Sequence, residues 1–139
     1  MKKLVVIIAC LMLAVSLLCG CGQKTKVLKE TDEFIIVTPS ENFVAKPLID
    51  CMKDLKSRGE LDYTEQESEY GAFINSVNGI SNTASKYWML YTDDEENGST
   101  WSTIEYQGKT YKIANYGASE LIVAKGCIYI WVFTESAFS

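Results

Sequence analysis

Hydrophobic positions change their rhythm several times along this chain, and each change marks a segment. An almost unbroken apolar run, Leu4 to Leu18, follows Lys2 and Lys3, and from residue 22 to residue 32 apolar side chains nearly disappear. Phe34-Ile35-Ile36-Val37-Thr38 is short and β-branched and predicts a strand, and Pro39-Ser40 ends it with Ser40 placed to cap a helix. Phe43, Pro47, Leu48, Cys51, Met52 and Leu55 then recur at helical spacing until Gly59. Pro47 lies too far in for the first turn of a helix starting at Glu41, so the regular helix is expected to begin near Lys46 or to kink there.

Beyond Gly59 the apolar period falls to two. Strands are predicted at Leu61 to Thr64, at Gly71 to Val77 ending in an Asn78-Gly79 turn, and at Tyr87 to Thr92. Trp101 to Tyr106 and Lys109 to Ala114 read as a hairpin turning at Gln107-Gly108, and Glu120 to Ala124 with Cys127 to Phe133 as a strand pair around Lys125-Gly126. One helix followed by many strands makes the class α+β, with the helix laid on one face of a mixed sheet and an extra hairpin.

The last strand is apolar on both faces: Ile128, Ile130 and Val132 alternate with Cys127, Tyr129, Trp131 and Phe133. The helix can cover only one of them. The aromatic face then needs the Trp101 to Ala114 hairpin over it, or stays partly open as a ligand platform joined by Tyr87 and Tyr91.

Lys2 and Lys3, the apolar run and Leu18-Cys19-Gly20-Cys21 together read as an export signal ending in a cysteine directly after the cut, the arrangement of a bacterial lipoprotein signal. The run is shorter than the ~20 residues of a spanning helix. Residues 1–20 are therefore assigned as lipoprotein signal peptide, 21–32 as a tether lipidated at Cys21, and 33–139 as one domain, located outside the cytoplasm and lipid-anchored to the bacterial cell membrane. Losing Lys2 and Lys3 takes the formal charge from −5 to −7, a surface that repels phosphate backbones, so no nucleic-acid partner is expected. Cys51 and Cys127 remain in the domain, where a disulfide and two buried thiols are both open.

The chain has no histidine. The commonest general base and transition-metal ligand are thereby absent, and neither an enzyme nor a metal site is expected. Glu65, Glu67 and Glu69 alternate, but next to Gln66 and Ser68 they read as a solvated edge or loop. Asp93, Glu95, Asn97 and Gly98 occupy positions one, three, five and six of a calcium-loop pattern, yet position twelve is Ile104 where a bidentate glutamate is needed. The acidic run is expected as a solvated turn.

Tyr70-Gly71-Ala72-Phe73-Ile74-Asn75-Ser76-Val77-Asn78-Gly79, then Tyr87-Trp88-Met89-Leu90, then Gly117-Ala118-Ser119 ahead of a Lys-Gly turn and an apolar last strand resemble the transcobalamin-like C-terminal domain, which bacterial surface lipoproteins carry as a domain of unknown function. The resemblance runs from about Pro47 to Phe133. It implies a fold similar to a β-grasp and a module that, in the animal transporters, closes over cobalamin against a separate helical domain. No such helical partner is present here, and the stretch from Glu95 to Tyr116 is longer than the family's connection, adding Trp101, Tyr106 and Tyr111. By position, Ser76, Val77, Asn78, Gly79, Tyr87 and Trp88 match the segments that face the corrinoid. The expectation is a non-catalytic, membrane-tethered module that binds a corrinoid such as cobalamin, or a similar bulky planar ligand, and hands it to a transporter; apart from lipid it needs no covalently bound cofactor. The alternative is a cell-surface protein-interaction module docking through its aromatic sheet face.

Overall fold

In the computed structural model, residues 24–69 and 71–135 are described. The strands are β1 (Lys26–Thr31), β2 (Phe34–Thr38), β3 (Tyr63–Ser68), β4 (Gly71–Val77), β5 (Ile80–Ser81), β6 (Lys86–Thr92), β7 (Gly98–Tyr106), β8 (Lys109–Ala114) and β9 (Tyr129–Glu135). A 3₁₀ turn, Glu41–Phe43, precedes helix α1, Leu48–Ser57. The strands form a six-stranded sheet in the order β1-β2-β9-β6-β8-β7 and a three-stranded sheet β3-β4-β5. The class is α+β. Every strand pairing among the described residues is antiparallel, which corrects the expected mixed sheet. The reason lies in the connections: a parallel neighbour needs a crossover back into the same sheet, whereas α1 leads from β2 into the second, smaller sheet.

Pro47 occupies the position before the first helical residue, where its fixed φ of −60° fits and its missing N–H costs nothing. No side chain caps the helix. Its first amides are instead taken by the chain that returns 70 residues later: Leu48 N donates to Leu121 O at 2.8 Å and Ile49 N to Ala118 O at 2.9 Å. Val123 N to Lys46 O and Ala45 N to Val123 O complete this seam, with Pro47 bridged to Ile122. Residues 120–124 are thus not the strand their pattern suggested; their backbone groups are spent on the helix start. The other end is sealed by Gly59, whose φ of +72° lets its N–H reach Lys56 O while Glu60 N reaches Leu55 O, the paired bonds of a Schellman stop.

The register decides which face the helix covers. Ile35, Trp131 and Leu90 lie abreast on β2, β9 and β6, as do Val37, Tyr129 and Thr92. These rows, with Trp88 and Phe133, form the main core together with Leu48, Cys51, Met52 and Leu55 of α1, Ile74 and Val77 of β4, and Ala118, Leu121 and Val123. The aromatic side of β9 is therefore the helix side. Tyr129, Trp131 and Phe133 are buried, and both the hairpin cover and the open aromatic platform are corrected. The aliphatic side carries a second, smaller core: Ile36, Tyr91, Tyr111, Ile113 and Ile130.

Hairpin β7–β8 covers part of that second side, burying Tyr91, Tyr111, Ile113 and Ile130 and leaving Phe34, Met89 and Val132 partly exposed. Gln107 and Gly108 both take positive φ, +49° and +74°, as a two-residue turn matching strand twist requires. The hairpin's strand pairing with β6 is short, Tyr91↔Ile113 and Thr92↔Lys112. Its tip nevertheless reaches the opposite edge of the sheet, where the Tyr106 ring lies 5.3 Å from that of Phe34 and its hydroxyl donates to Glu30 Oε1 at 2.5 Å. The six-stranded sheet is curled, with β7 brought round toward β1. Strand β1 itself corrects the tether: Lys26 to Lys29 pair with Thr38 to Ile35, so the ordered sheet begins before residue 33. Charged residues on an outermost strand guard its free edge, and that is why this segment reads as linker in sequence.

Candidate functional site

A sheet sealed by a helix on one side has its other side left to solvent, a partner or a ligand. On this sheet that side is apolar. Period-two alternation puts Phe34 and Ile36 of β2, Ile130 and Val132 of β9, and Met89 and Tyr91 of β6 together, since Phe34 pairs with Val132 and Val132 with Met89. Ile36, Tyr91, Tyr111, Ile113 and Ile130 form a buried floor, while Phe34, Met89, Ile104, Tyr106, Ile128 and Val132 remain partly exposed around it. Tyr87 extends the face one row beyond Met89, opposite Thr134, half-buried and with its hydroxyl 3.3 Å from Ala84 O.

The polar groups of this surface are hydroxyls at its middle and two charges at its margins, Glu30 beside Tyr106 and Lys109 over the Tyr111 ring at 5.7 Å. Tyr91 and Ser102 share a hydroxyl hydrogen bond of 2.9 Å. The bond to Glu30 pushes the Tyr106 phenol up to about 12, and burial raises Tyr111. Both phenols therefore stay protonated well above neutral pH, with the Tyr106 hydrogen committed to Glu30. A partly exposed apolar face on which the hydroxyls already have protein partners suits a bulky, largely apolar molecule.

The six positions inferred by resemblance divide sharply. Val77 is fully buried in the main core, and Ser76 is buried with its hydroxyl 2.6 Å from that of Thr64. Asn78 and Gly79 make the β4–β5 turn with φ of +49° and +86°, and Asn78 is tied to Asp62 by two bonds, Asn78 N to Asp62 O and Asp62 N to Asn78 Oδ1. Trp88 is buried; its indole N–H donates to Ile80 O at 2.7 Å, its amide to Asn82 Oδ1 at 2.8 Å, and its ring packs 5.2 Å from Phe133. The structure joins Trp88 to the strand that follows the Asn78 turn, but on the helix side. Tyr87 points the other way, and of the six it alone belongs to the open face. Phe34, Met89, Ile104 and Val132 were not singled out from sequence, although the alternation in β2, β6 and β9 already aligned them.

The acidic turn is more ordered than a solvated loop. Asp93 accepts from Ile128 N at 2.7 Å and pairs with Lys109 at 2.6 Å, Asp94 is buried and bonded to Glu96 N and Asn97 Nδ2, and Glu95 pairs with Lys112. Its carboxylates brace the base of the hairpin. Among the described residues no three metal-binding side chains converge. Glu65, Glu67 and Ser68 lie exposed on β3, an outer strand of the small sheet, and Glu69 is exposed just beyond it. Cys51 and Cys127 are free thiols, each pushed up to about 11 chiefly by burial. Cys21 lies outside the described residues.

Residues 47–97 are similar to a domain family of unknown function, DUF4430. That segment carries α1, β3 to β6 and the acidic turn, and leaves out β1, β2, the β7–β8 hairpin and β9. No curated protein and no solved structure matches the chain.

Proposed function

We propose that this protein is a membrane-tethered, extracytoplasmic ligand-binding lipoprotein, acylated at Cys21, that holds a bulky planar ligand on the aliphatic face of its curled sheet. The observation that carries the reading is the asymmetry of that sheet. One face is closed by α1, whereas the other keeps Phe34, Met89, Tyr106 and Val132 partly exposed beside Tyr87. Flat macrocycles gain affinity from area and from aromatic edges, and need few polar partners. A corrinoid as the ligand class rests on the transcobalamin-like resemblance alone, since the family matched over residues 47–97 is one of unknown function. With no histidine to replace the lower axial base, the chain would distinguish cobalamin from cobinamide only through contacts with the nucleotide loop.

The protein-docking alternative was built on the aromatic face of β9, which is buried, so the ligand reading on the aliphatic face is the one pursued. The test is a thermal-shift series on residues 22–139 with cobalamin, cobinamide and a porphyrin. A molecule that binds only the native state raises the melting temperature, by about 2.7 kcal/mol of stabilisation at a hundred times its dissociation constant. Tyr87→Ala should weaken that binding by ~0.5–1.5 kcal/mol. No shift with any of the three at high micromolar concentration would overturn the proposal.

A further inference from the structure

Thr25 is fixed into the body of the domain. It is 3% exposed, its hydroxyl accepts from Ser40 N at 3.0 Å and from Cys51 Sγ at 3.6 Å, and its carbonyl accepts from Arg58 Nη2 at 2.9 Å. Only residues 22–24 separate it from Cys21. We infer that the domain rides directly on the bilayer with its Thr25 end toward the headgroups and the open end of the aliphatic face, around Tyr87 and Val132, turned away from them. The inference rests on acylation of Cys21 as proposed above.

The geometry follows from covalent reach. Four residue steps span at most about 14 Å when fully extended. A domain of this size has a radius of gyration near 13 Å, hence an outer radius of about 17 Å. A residue of it held within ~14 Å of the bilayer cannot rise to the level of the domain's centre, about 17 Å up, so Thr25 stays in the hemisphere that faces the membrane. Charge favours the same side, since Lys24 and Lys26 are exposed there in an otherwise acidic chain, whereas Arg58 is committed to Asp54 and Glu60. Distances along the sheet then set what faces outward. Lys26 pairs with Thr38 near the start of β9, and Lys86 pairs with Glu135 at its far end, so roughly seven residue steps, ~23 Å before twist, separate the two levels. Tyr87 and the Lys86–Glu33 pair belong to the far level.

The experiment uses the full chain, processed and reconstituted in vesicles that carry a nickel-chelating headgroup lipid. Cys127→Ser removes the half-exposed thiol, and a nitroxide is placed either at Thr38→Cys or at Ser85→Cys, both exposed positions. The expected result is a relaxation enhancement several-fold larger at 38 than at 85, lost when twenty Gly/Ser residues are inserted after residue 22. Equal enhancement at both positions with the native tether, in protein whose mass shows the lipid on Cys21, overturns the orientation alone. A mass showing Cys21 unacylated overturns the anchoring reading, and the orientation with it.

Discussion

Trp88 is the residue for which resemblance and packing give opposite forecasts. If its indole faced a ligand, truncation would leave the free domain's stability almost unchanged. The structure buries it to 4% exposure, sets its ring 5.2 Å from Phe133 and spends its N–H on Ile80 O at 2.7 Å. Removing a buried tryptophan costs about 3–5 kcal/mol, because transfer energy and cavity add. Of this, the hydrogen bond accounts for roughly 1 kcal/mol. Trp88→Phe retains a ring against Phe133 but loses that bond, so it should fall between wild type and Trp88→Ala. Tyr87→Ala, on the neighbouring position of the same strand but the opposite face, should stay within about 1 kcal/mol. Urea unfolding of residues 22–139 followed by circular dichroism measures all three. Trp88→Ala within about 1 kcal/mol of wild type, or Tyr87→Ala costing as much as Trp88→Ala, would refute the assignment of faces.

Two further outcomes follow from the same packing. Ile130→Ala should cost ~2–5 kcal/mol and Trp131→Ala ~3–5 kcal/mol, since both side chains are buried; Trp131→Phe should cost clearly less, because the Trp131 indole N–H is buried without a hydrogen-bond partner among the described residues and its loss removes a penalty of ~1–3 kcal/mol. Urea midpoints check the order, and a Trp131→Phe loss equal to that of Trp131→Ala would contradict it. Stability should also decline at alkaline pH. The Cys51 thiol is raised from 9.0 to about 11 by burial, so the native state keeps a proton that the unfolded chain releases; the stabilisation is full below pH 9 and is lost as pH rises through 11, at about 1.4 kcal/mol per pKa unit. Tyr63 and Tyr129, raised from 10.0 to about 12, steepen the fall above pH 10. Cys51→Ala should flatten the first part of this decline in unfolding curves taken from pH 8 to 11, and an unchanged slope would show that the thiol does not titrate on unfolding.

Local chemistry was legible where the deciding forces are local. Phe34 to Thr38 and Gly71 to Val77 are strands at the predicted bounds, and Asn78-Gly79 and Gln107-Gly108 turn as their tolerance of positive φ requires. The helix starts one residue after Pro47, close to the expected place. What failed depends on partners distant in sequence. Alternation in β9 reveals two apolar faces but not which of them receives α1; that is settled by register with β2 and β6, which aligns Ile35, Trp131 and Leu90 under the helix. Residues 120–124 alternate like a strand, yet their bonding groups are drawn to Lys46 and Leu48, over seventy residues away. The open face was partly visible, through Tyr87 and Tyr91, but it was joined to the wrong side of β9.

The proposed ligand face contains its own reporter. Residues 22–139 include two methionines, Met89 on the partly exposed aliphatic face and Met52 of α1, fully buried in the main core. Carbon-13 labelling of the methionine methyl groups gives one signal from each side of the sheet, and titration with cobinamide reads both at once. The account predicts a saturable shift of the Met89 methyl with Met52 unmoved; a shift at Met52 alone, or no change in either signal at high micromolar corrinoid, would contradict it.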